Sequence, residues 1–316
     1  MVLRGIIMTR CDAYWSKVRK LLAEDNKEAL VEFCEKSPDM IRKIIDYVEY
    51  SDKYLNDTMV SNKDLFNERT TRPLRTLERI DPELHDTVLA EVIQLDKPTA
   101  KEVKRIIQEK KIELFPEQET DERIVLDSIE NTENYLKPNS VDLILTDPPY
   151  IGECIPLWSA LAEKAAVILK PGGFLVCYSG QFHLPEIFRR LTEHLEYIWT
   201  FALIHKGAKT SIDARHIFNG WKPILVFAKP PFELSWMTDI IDGAGREKQD
   251  HEWQQALQES EQLIERFTHE GQLVVDPFLG SGTTVLAAKK LNRNFFGMDN
   301  DELAIKTTLR RLQHEE

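Results

Sequence analysis

Apolar residues recur at helical spacing through the first part of the chain. The positions between residues 13 and 50 are Val18, Leu21, Leu22, Leu30, Phe33, Cys34, Ile41, Ile44, Ile45 and Val48. This spacing predicts two or three amphipathic helices, with a break near Ser37-Pro38. Two further helices are predicted at 84–93 and 100–111, on either side of a turn at 96–99. We interpret this pair as an ordinary helical hairpin, and a DNA-reading helix-turn-helix is the alternative.

Beyond residue 118 the pattern changes to short apolar runs that alternate with helical segments. Strands are predicted at 123–126, 141–145, 174–178, 199–205, 222–229, 272–275 and 294–298, and helices at 156–169, 184–195, 252–267 and 285–291. Such alternation is typical of an α/β fold with a mostly parallel sheet. Strands 199–205 and 222–229 are predicted to form one antiparallel hairpin, with 206–221 as its loop. A turn at 170–173 is predicted to close the helix 156–169, and residues 230–245 are predicted to be irregular. The chain is therefore predicted to comprise a helical domain, 1–118, and an α/β domain, 119–316.

Composition narrows the class of protein. A chain of 316 residues can form one large domain or two ordinary ones, and 42% hydrophobic with 30% charged residues is typical of soluble globular proteins. No apolar run approaches the roughly eighteen residues of a membrane span. The apolar patch within residues 1–15 is too short for a secretory signal. We therefore expect a cytoplasmic protein without a membrane segment.

The distribution of cysteine and histidine argues against a metalloprotein, and the net charge argues against a protein that coats nucleic acid. The four cysteines and eight histidines are scattered without metal-ligand spacing, so we expect reduced thiols and no metal site. A formal charge of −12 argues against non-specific coating of nucleic acid, because phosphate neutralisation drives that binding. Three stretches, 69–79, 101–111 and 206–222, are nevertheless basic. Each is either a nucleic-acid contact or a solvated face.

The predicted strand 141–145 runs through Thr146 into Asp147-Pro148-Pro149-Tyr150, which we call the acceptor motif. Two consecutive prolines must end the strand in a stiff turn, since neither can extend a strand ladder or enter a helix interior. Ligands of open α/β sheets bind at this carboxyl edge. A carboxylate, a proline carbonyl and an aromatic ring suit a planar base with an exocyclic amino group. A rigid surface turn capped by the aspartate is the alternative.

The predicted strand 272–275 runs into Asp276-Pro277-Phe278-Leu279-Gly280-Ser281-Gly282-Thr283-Thr284, which we call the glycine turn. A helix and a strand ending in Asp299 follow, as in a nucleotide-binding half-unit. Gly280 and Gly282 accept positive φ and let a ligand approach closely. A tight turn that binds no ligand is the alternative.

The identity of residue 285 discriminates between cofactors. A dinucleotide fingerprint has a third glycine where this chain has Val285, so an adenosine without pyrophosphate, such as S-adenosylmethionine, fits better than a nicotinamide cofactor. Asp276 is predicted to face the ammonium group of that ligand, Phe278 to line its sulfonium side and Asp299 to chelate its ribose. The other predicted cofactor-site residues are Pro277, Gly280, Ser281, Gly282, Thr283 and Asn300.

The acceptor motif followed later in the chain by the glycine turn resembles the DNA amino-methyltransferases of the β class, in which the catalytic motif comes first. The resemblance covers residues 120–310. It implies a Rossmann-like class I methyltransferase fold, S-adenosylmethionine as cofactor, and Asp147, Pro148, Pro149 and Tyr150 as catalytic residues. In that family a His-Pro-Thr-Gln-Lys-Pro-like segment touches the methionine end of the cofactor. Here His251 and Gln254 are retained from it, without the two prolines and the lysine.

This resemblance implies a site-specific DNA methyltransferase that acts on the N6 amino group of a flipped-out adenine. The implied partners are double-stranded DNA and a cognate restriction endonuclease, and the chain would be a monomer or a homodimer. Asp147 favours adenine, because the cytosine-N4 branch of the family commonly has Ser there. Transfer to cytosine N4 is one alternative, and a non-catalytic DNA-binding module with this fold is another.

No large separate recognition domain is evident, so the polar segment 206–221 is predicted to contact DNA. The predicted contacts are Lys206, Lys209, Arg215, His216 and Asn219. An exposed connection with ordinary lysines is the alternative. The N-terminal helices are the second candidate for recognition, or for dimerisation.

Overall fold

The computed structural model describes residues 12–24, 29, 38–55, 66–95, 98–150, 152–204, 210–212, 215–243 and 257–314. The chain divides into two units, Met1–Phe115 and Pro116–Glu316. Apolar side chains form separate clusters in each unit, two in the first and two in the second among the described residues. Among the described helices, none combines the length and the apolar character that crossing a membrane requires.

The described residues of the first unit are mainly helical. Its helices are α1 (Asp12–Ala23), α2 (Pro38–Tyr54), α3 (Glu68–Ile80), α4 (Pro82–Val92) and α5 (Ala100–Leu114). The side chains of Asn67, Asp81 and Thr99 cap α3, α4 and α5 by accepting bonds from backbone N–H groups of the first turn. Helices α4 and α5 correspond to the predicted pair at 84–93 and 100–111.

Helix α3 contains the basic stretch 69–79, and three of its four arginines, Arg72, Arg75 and Arg79, are paired with carboxylates. Arg72 and Arg75 contact Glu68 at 2.7 and 3.1 Å. In the second basic stretch, on α5, Arg105 lies 2.6 Å from Glu109. These ion pairs reduce the positive charge that either stretch can offer to phosphate groups.

The second unit is built on an eight-stranded sheet in its described residues. The strands are β1 (Ile124–Leu126), β2 (Val141–Thr146), β3 (Leu169–Tyr178), β4 (Glu196–Ile204), β7 (Trp221–Ala228), β8 (Ile240–Asp242), β9 (Leu273–Asp276) and β10 (Asn294–Asp299). Their order across the sheet is β1-β10-β9-β2-β3-β7-β4-β8. All neighbouring strands are parallel except β7, which is antiparallel to both β3 and β4. The predicted α/β fold, with a mostly parallel sheet and an antiparallel β4–β7 pair, is confirmed.

Helices pack on this sheet and complete its cores. They are α6 (Leu157–Ile168), α7 (Leu184–Thr192), α8 (Leu257–Phe267), α9 (Thr283–Lys290) and α10 (Glu302–His314). Strand β2 alternates between the two cores: Leu143 and Leu145 cluster with Leu263 of α8, whereas Ile144 clusters with Trp158 of α6. Every residue of β2 is buried, as expected of a strand covered on both faces.

The structure differs from the sequence-based prediction at three places in this unit. Strand β3 includes 170–173, predicted as a helix-closing turn, because Gly172 donates its N–H to the Lys229 carbonyl at 2.8 Å. Strand β8 lies in a stretch predicted to be irregular, and its three residues are too few to produce a periodic signal. The segment predicted as a loop, 206–221, contains a separate antiparallel hairpin of β5 (Thr210–Ile212) and β6 (Ile217–Asn219).

Candidate active site

The acceptor motif and the glycine turn follow two strands that lie side by side. Strands β2 and β9 are parallel neighbours, with Leu143 opposite Val274, so their carboxyl ends meet at one edge of the sheet. At that edge the Thr146 hydroxyl donates a 2.7 Å hydrogen bond to Asp276 Oδ1. The last residue of one strand therefore bonds directly to the last residue of the other.

In the acceptor motif, Asp147 is partly exposed and Pro148 is buried. The Pro149 carbonyl accepts a 3.2 Å bond from the indole N–H of Trp158, a fully buried residue of α6. This bond ties the turn to the core below it. The turn therefore presents the Asp147 carboxylate from a fixed backbone.

Lys222 is an unpredicted member of this site. Its Nζ lies 3.0 Å from Oδ1 and 2.8 Å from Oδ2 of Asp147, and the two side chains are 15% and 29% exposed. Burial has the largest single effect on the pKa of Lys222 and lowers it, but the charges of Asp147, Tyr150 and Glu259 and the hydrogen bonding to Asp147 together raise it, and the net pKa lies above its ordinary value. Sequence analysis assigned this lysine only to a basic stretch, because its partner lies 75 residues earlier.

The Tyr150 ring packs against the backbone of Gly180. A methyl group added at Gly180 would lie 2.5 Å from Tyr150 Cδ2, so only glycine permits this contact. Lys222 Nζ lies 5.4 Å from the centroid of the same ring. The ring is thus held by a close backbone contact and has a cation nearby.

The glycine turn has the backbone conformation that its glycines predict. Gly280 and Gly282 adopt φ values of +53° and +81°. A methyl group added at Gly282 would lie 2.6 Å from the Thr308 side chain, whereas one added at Gly280 would meet nothing within 4 Å. Gly282 is therefore required by packing, and Gly280 borders open space that a ligand can enter.

Asp276 is buried in this turn beneath the sheet edge. Its Oδ1 accepts bonds from the Thr146 hydroxyl and, at 3.1 Å, from the Phe278 N–H. Burial raises the pKa of Asp276 to about 6, against the opposing effect of these bonds and of one from Thr284. The glycine turn thus contains a carboxyl group whose charge is incompletely compensated.

Asp299 lies at the end of β10, where the sequence predicts a ribose-binding carboxylate. Its two oxygens accept bonds of 2.9 Å from the N–H groups of Gly280 and Asp301. Burial raises the pKa of Asp299, while the backbone bonds oppose the rise. Pro277 is buried, Phe278 partly buried and Asn300 exposed.

Helix α10 supports the glycine turn from behind. The buried Arg311 donates to the Ser281 carbonyl at 2.9 Å and to the Thr283 hydroxyl at 3.3 Å. Ser281 and Thr283 are themselves buried. Sequence analysis missed Arg311 because the turn and its support are separated by a helix and a strand.

The residues predicted to contact DNA are only partly described. Lys206 and Lys209 lie outside the described residues, as do His251 and Gln254 of the predicted cofactor site. The described members are Arg215 and His216, both exposed, and Asn219, partly exposed. His216 has a φ of +53° in the β5–β6 connection, and Asn219 Oδ1 accepts a 3.2 Å bond from Gln181. Within the described ranges, no group of three or more His, Cys, Asp or Glu side chains is arranged to hold a metal ion.

Comparisons with known proteins agree with this geometry. Residues 230–310, which include the glycine turn, match the family described as DNA methylase, of the N6/N4 type. The chain is 24% identical over 241 residues to the Type II methyltransferase M.HpaI of Haemophilus parainfluenzae, covering 62% of this chain and 75% of that enzyme.

Solved structures are similar to about 60% of this chain. The crystal structure of the M1.HpyAVI–SAM complex is 25% identical, with a TM-score of 0.51 over 60% of this chain and 98% of that one. The PvuII DNA methyltransferase, described as cytosine-N4-specific, is 16% identical, with a TM-score of 0.53 over 61% of this chain and 87% of that one. At that identity the second likeness concerns the fold alone.

Proposed function

We propose that this chain, whose residues 230–310 match the DNA methylase family of the N6/N4 type, transfers a methyl group from S-adenosylmethionine to the N6 amino group of adenine in DNA. The observation that carries the proposal is the bond between Thr146 and Asp276, which joins the two motifs at one sheet edge. A donor beside the glycine turn and an amine beside the acceptor motif would then be neighbours.

The glycine turn offers the features that the cofactor requires. Open space at Gly280 allows close approach of an adenosine, and the half-buried Asp299 suits ribose hydroxyls. Asp276 is proposed to face the ammonium group, and Phe278, Pro277, Ser281, Gly282, Thr283, Asn300, His251 and Gln254 are proposed to complete the site. When bound, S-adenosylmethionine supplies a methyl group on a positively charged sulfur.

The acceptor motif is proposed to activate the amine. The lone pair of an exocyclic amine is delocalised into the ring and is a poor nucleophile. The Asp147 carboxylate and the Pro148 carbonyl accept hydrogen bonds from its two N–H groups and thereby localise the lone pair on nitrogen, which attacks the methyl carbon as the bond from that carbon to sulfur breaks. As positive charge develops there, the fixed carboxylate stabilises it without reorganising. Positioning the amine in line with the methyl group supplies much of the remaining acceleration.

Base flipping brings the amine to this site. A base stacked in a duplex cannot reach a recessed sheet edge, so it must leave the helix and stack on Tyr150. The β5–β6 hairpin is proposed to hold the duplex through Lys206, Lys209, Arg215, His216 and Asn219. It leads directly into β7 and Lys222, and its Ile217 and Phe218 are 57% and 73% exposed. An exposed apolar pair beside basic residues suits a displaced base step.

Adenine is proposed over cytosine because of Asp147, which the resemblance associates with the adenine branch. The amines of both bases have the same geometry, so transfer to cytosine N4 is the second candidate. The proposed partner is double-stranded DNA in the cytoplasm, together with a restriction endonuclease of the same recognition sequence. The helical unit is proposed to serve recognition or homodimer formation.

One experiment tests activity, base and nucleic-acid type together. The protein is incubated with methyl-labelled S-adenosylmethionine and unmethylated genomic DNA, and the digested nucleosides are analysed by mass. N6-methyladenine is expected, and N4-methylcytosine would support the second candidate. Asp147→Ala should abolish transfer while leaving cofactor affinity within about threefold, because Asp147 acts on the amine. Normal turnover by that variant would overturn the assignment.

A further inference from the structure

Lys222 connects three groups around the proposed amine site. Its ammonium bonds both oxygens of Asp147, and it lies 5.4 Å from the Tyr150 ring centroid and 4.9 Å from that of Tyr178. Tyr178 is fully buried at the end of β3. The lysine is therefore enclosed by a carboxylate and two aromatic faces, each of which attracts a cation.

The backbone of Lys222 is fixed as firmly as its ammonium. In the sheet it pairs with Leu203 of β4, and the next residue, Pro223, accepts a 3.0 Å bond from the Ser179 N–H. Because β7 is antiparallel to β3, its first residues lie at the carboxyl edge where the acceptor motif begins. Lys222 thus reaches Asp147 from a rigid strand rather than from the mobile end of a loop.

We propose that Lys222 is a positioning residue that holds the Asp147 carboxylate in the orientation in which it accepts the target amine, an inference that rests on the proposed function. An unpartnered carboxylate half open to water samples several rotamers. Two simultaneous bonds from one ammonium select a single orientation. An ionised carboxylate has about four lone-pair sites, so two bonds to lysine leave acceptor capacity for the amine.

The alternative role for a lysine in a DNA methylase is contact with a phosphate. The geometry disfavours it, because the side chain is only 15% exposed and its ammonium already has an anionic partner. A phosphate-binding lysine contributes to affinity and to its salt dependence. A lysine that orients Asp147 contributes instead to turnover at saturating DNA. Loss of a phosphate contact would therefore raise KM for DNA, whereas loss of the orienting role would lower kcat.

The test compares Lys222→Met and Lys222→Arg with the wild-type protein on unmethylated genomic DNA. Lys222→Met should lower kcat about 10²-fold, the typical effect of a misplaced reacting group. The affinities for S-adenosylmethionine and DNA, and the salt dependence of DNA binding, should stay within about threefold of wild type. Lys222→Arg, which retains charge and two donors, should recover at least tenfold of the lost kcat.

Lys229→Met is the matched control. Lys229 follows the other end of β7 and donates to Asn139 Oδ1 at 2.8 Å, far along the strand from the acceptor motif. Its loss should lower the melting temperature while leaving kcat within about threefold. Melting curves of all variants show whether each is folded at the assay temperature, and Lys222→Arg carries the test if Lys222→Met is not.

The outcomes separate the two proposals. Suppose that the wild-type protein transfers methyl groups. If Lys222→Met then has the wild-type kcat, or loses only DNA affinity and its salt dependence, the proposed role of Lys222 is overturned and the proposed function stands. If Lys222→Met is unfolded, a Lys222→Arg kcat more than about 10²-fold below wild type overturns that role too. A wild-type protein that binds S-adenosylmethionine and DNA without transferring a methyl group overturns both.

Discussion

Thr146 and Asp276 are 130 residues apart in the chain and are joined by a 2.7 Å hydrogen bond at the edge of the sheet. Thr146 precedes the acceptor motif, and Asp276 begins the glycine turn. The bond fixes the spacing between the proposed amine site and the proposed donor site. Changes at either residue should therefore affect donor binding as well as folding.

Thr146→Val should lower both stability and donor affinity. Valine has the shape of threonine but cannot donate to the buried Asp276, and a buried group that loses a partner costs about 1–3 kcal/mol. Urea unfolding measures the stability and isothermal titration with S-adenosylmethionine measures the affinity. Thr268→Val is the control. The buried hydroxyl of Thr268 donates to the carbonyl of Ile264, and Thr268 lies before the start of β9, at the opposite end of that strand from the site. Equal donor affinities in the two variants would contradict the prediction.

Asp276→Asn should stabilise the empty protein and weaken donor binding. Burial raises the folded-state pKa of Asp276 from 3.8 to about 6, so its contribution to stability is full below about pH 4 and is lost as the pH rises through 6. That loss amounts to about 3 kcal/mol, at 1.36 kcal/mol per pKa unit. The asparagine variant cannot ionise, so its stability should not show this loss as the pH rises.

Denaturant unfolding between pH 4 and pH 8 measures this effect. The difference in unfolding free energy between Asp276→Asn and wild type should be near zero at pH 4 and should favour the variant at pH 7. A constant difference across this range would show that Asp276 is not the titrating group. Donor affinity is measured on the same samples at pH 7.

Gly282→Ala should destabilise the protein more than Gly271→Ala. Both glycines have similar positive φ values, +81° and +77°, so both substitutions carry the same backbone strain of about 1–2 kcal/mol. Only at Gly282 would the new methyl group also lie 2.6 Å from Thr308. The melting temperatures of both variants separate backbone strain from steric overlap with Thr308. An equal fall in melting temperature in the two variants would show that the overlap contributes nothing.

Gly180→Ala should impair methyl transfer without affecting donor binding. The added methyl group would lie 2.5 Å from Tyr150 Cδ2, so the ring must move from its position beside Lys222. Because a misplaced group in a reaction site costs about 10²-fold, we expect a loss of that order in kcat. Labelled-methyl incorporation and titration with S-adenosylmethionine provide the two readouts. Weakened donor affinity with normal kcat would place Tyr150 elsewhere in the mechanism.

The sequence predicts those parts of the fold that depend on local pattern. The apolar run before Asp147 and the one before Asp276 are each followed by a proline directly after the aspartate, and each forms a largely buried strand in the structure. Helix α3 was missed because charged residues obscure its apolar period, and β8 because it has only three residues.

The site could be predicted only as far as its motifs are contiguous in the chain. The positive φ of Gly280 follows from local sequence, and so does the turn at Pro148-Pro149. The pairing of Lys222 with Asp147 does not, because it depends on which strand lies beside β3 and in which direction it runs. The support of Ser281 by Arg311 likewise depends on how α10 folds back.

The direction of β7 has a consequence for how such a protein can diversify. Every parallel strand sends its following segment toward the site, whereas the reversed strand receives its preceding segment from there. Residues 205–220 are thus anchored at both ends, by β4 and by β7. If this span contacts DNA as proposed, insertions or exchanges in it would alter which DNA sequence is read while leaving the register of the sheet unchanged.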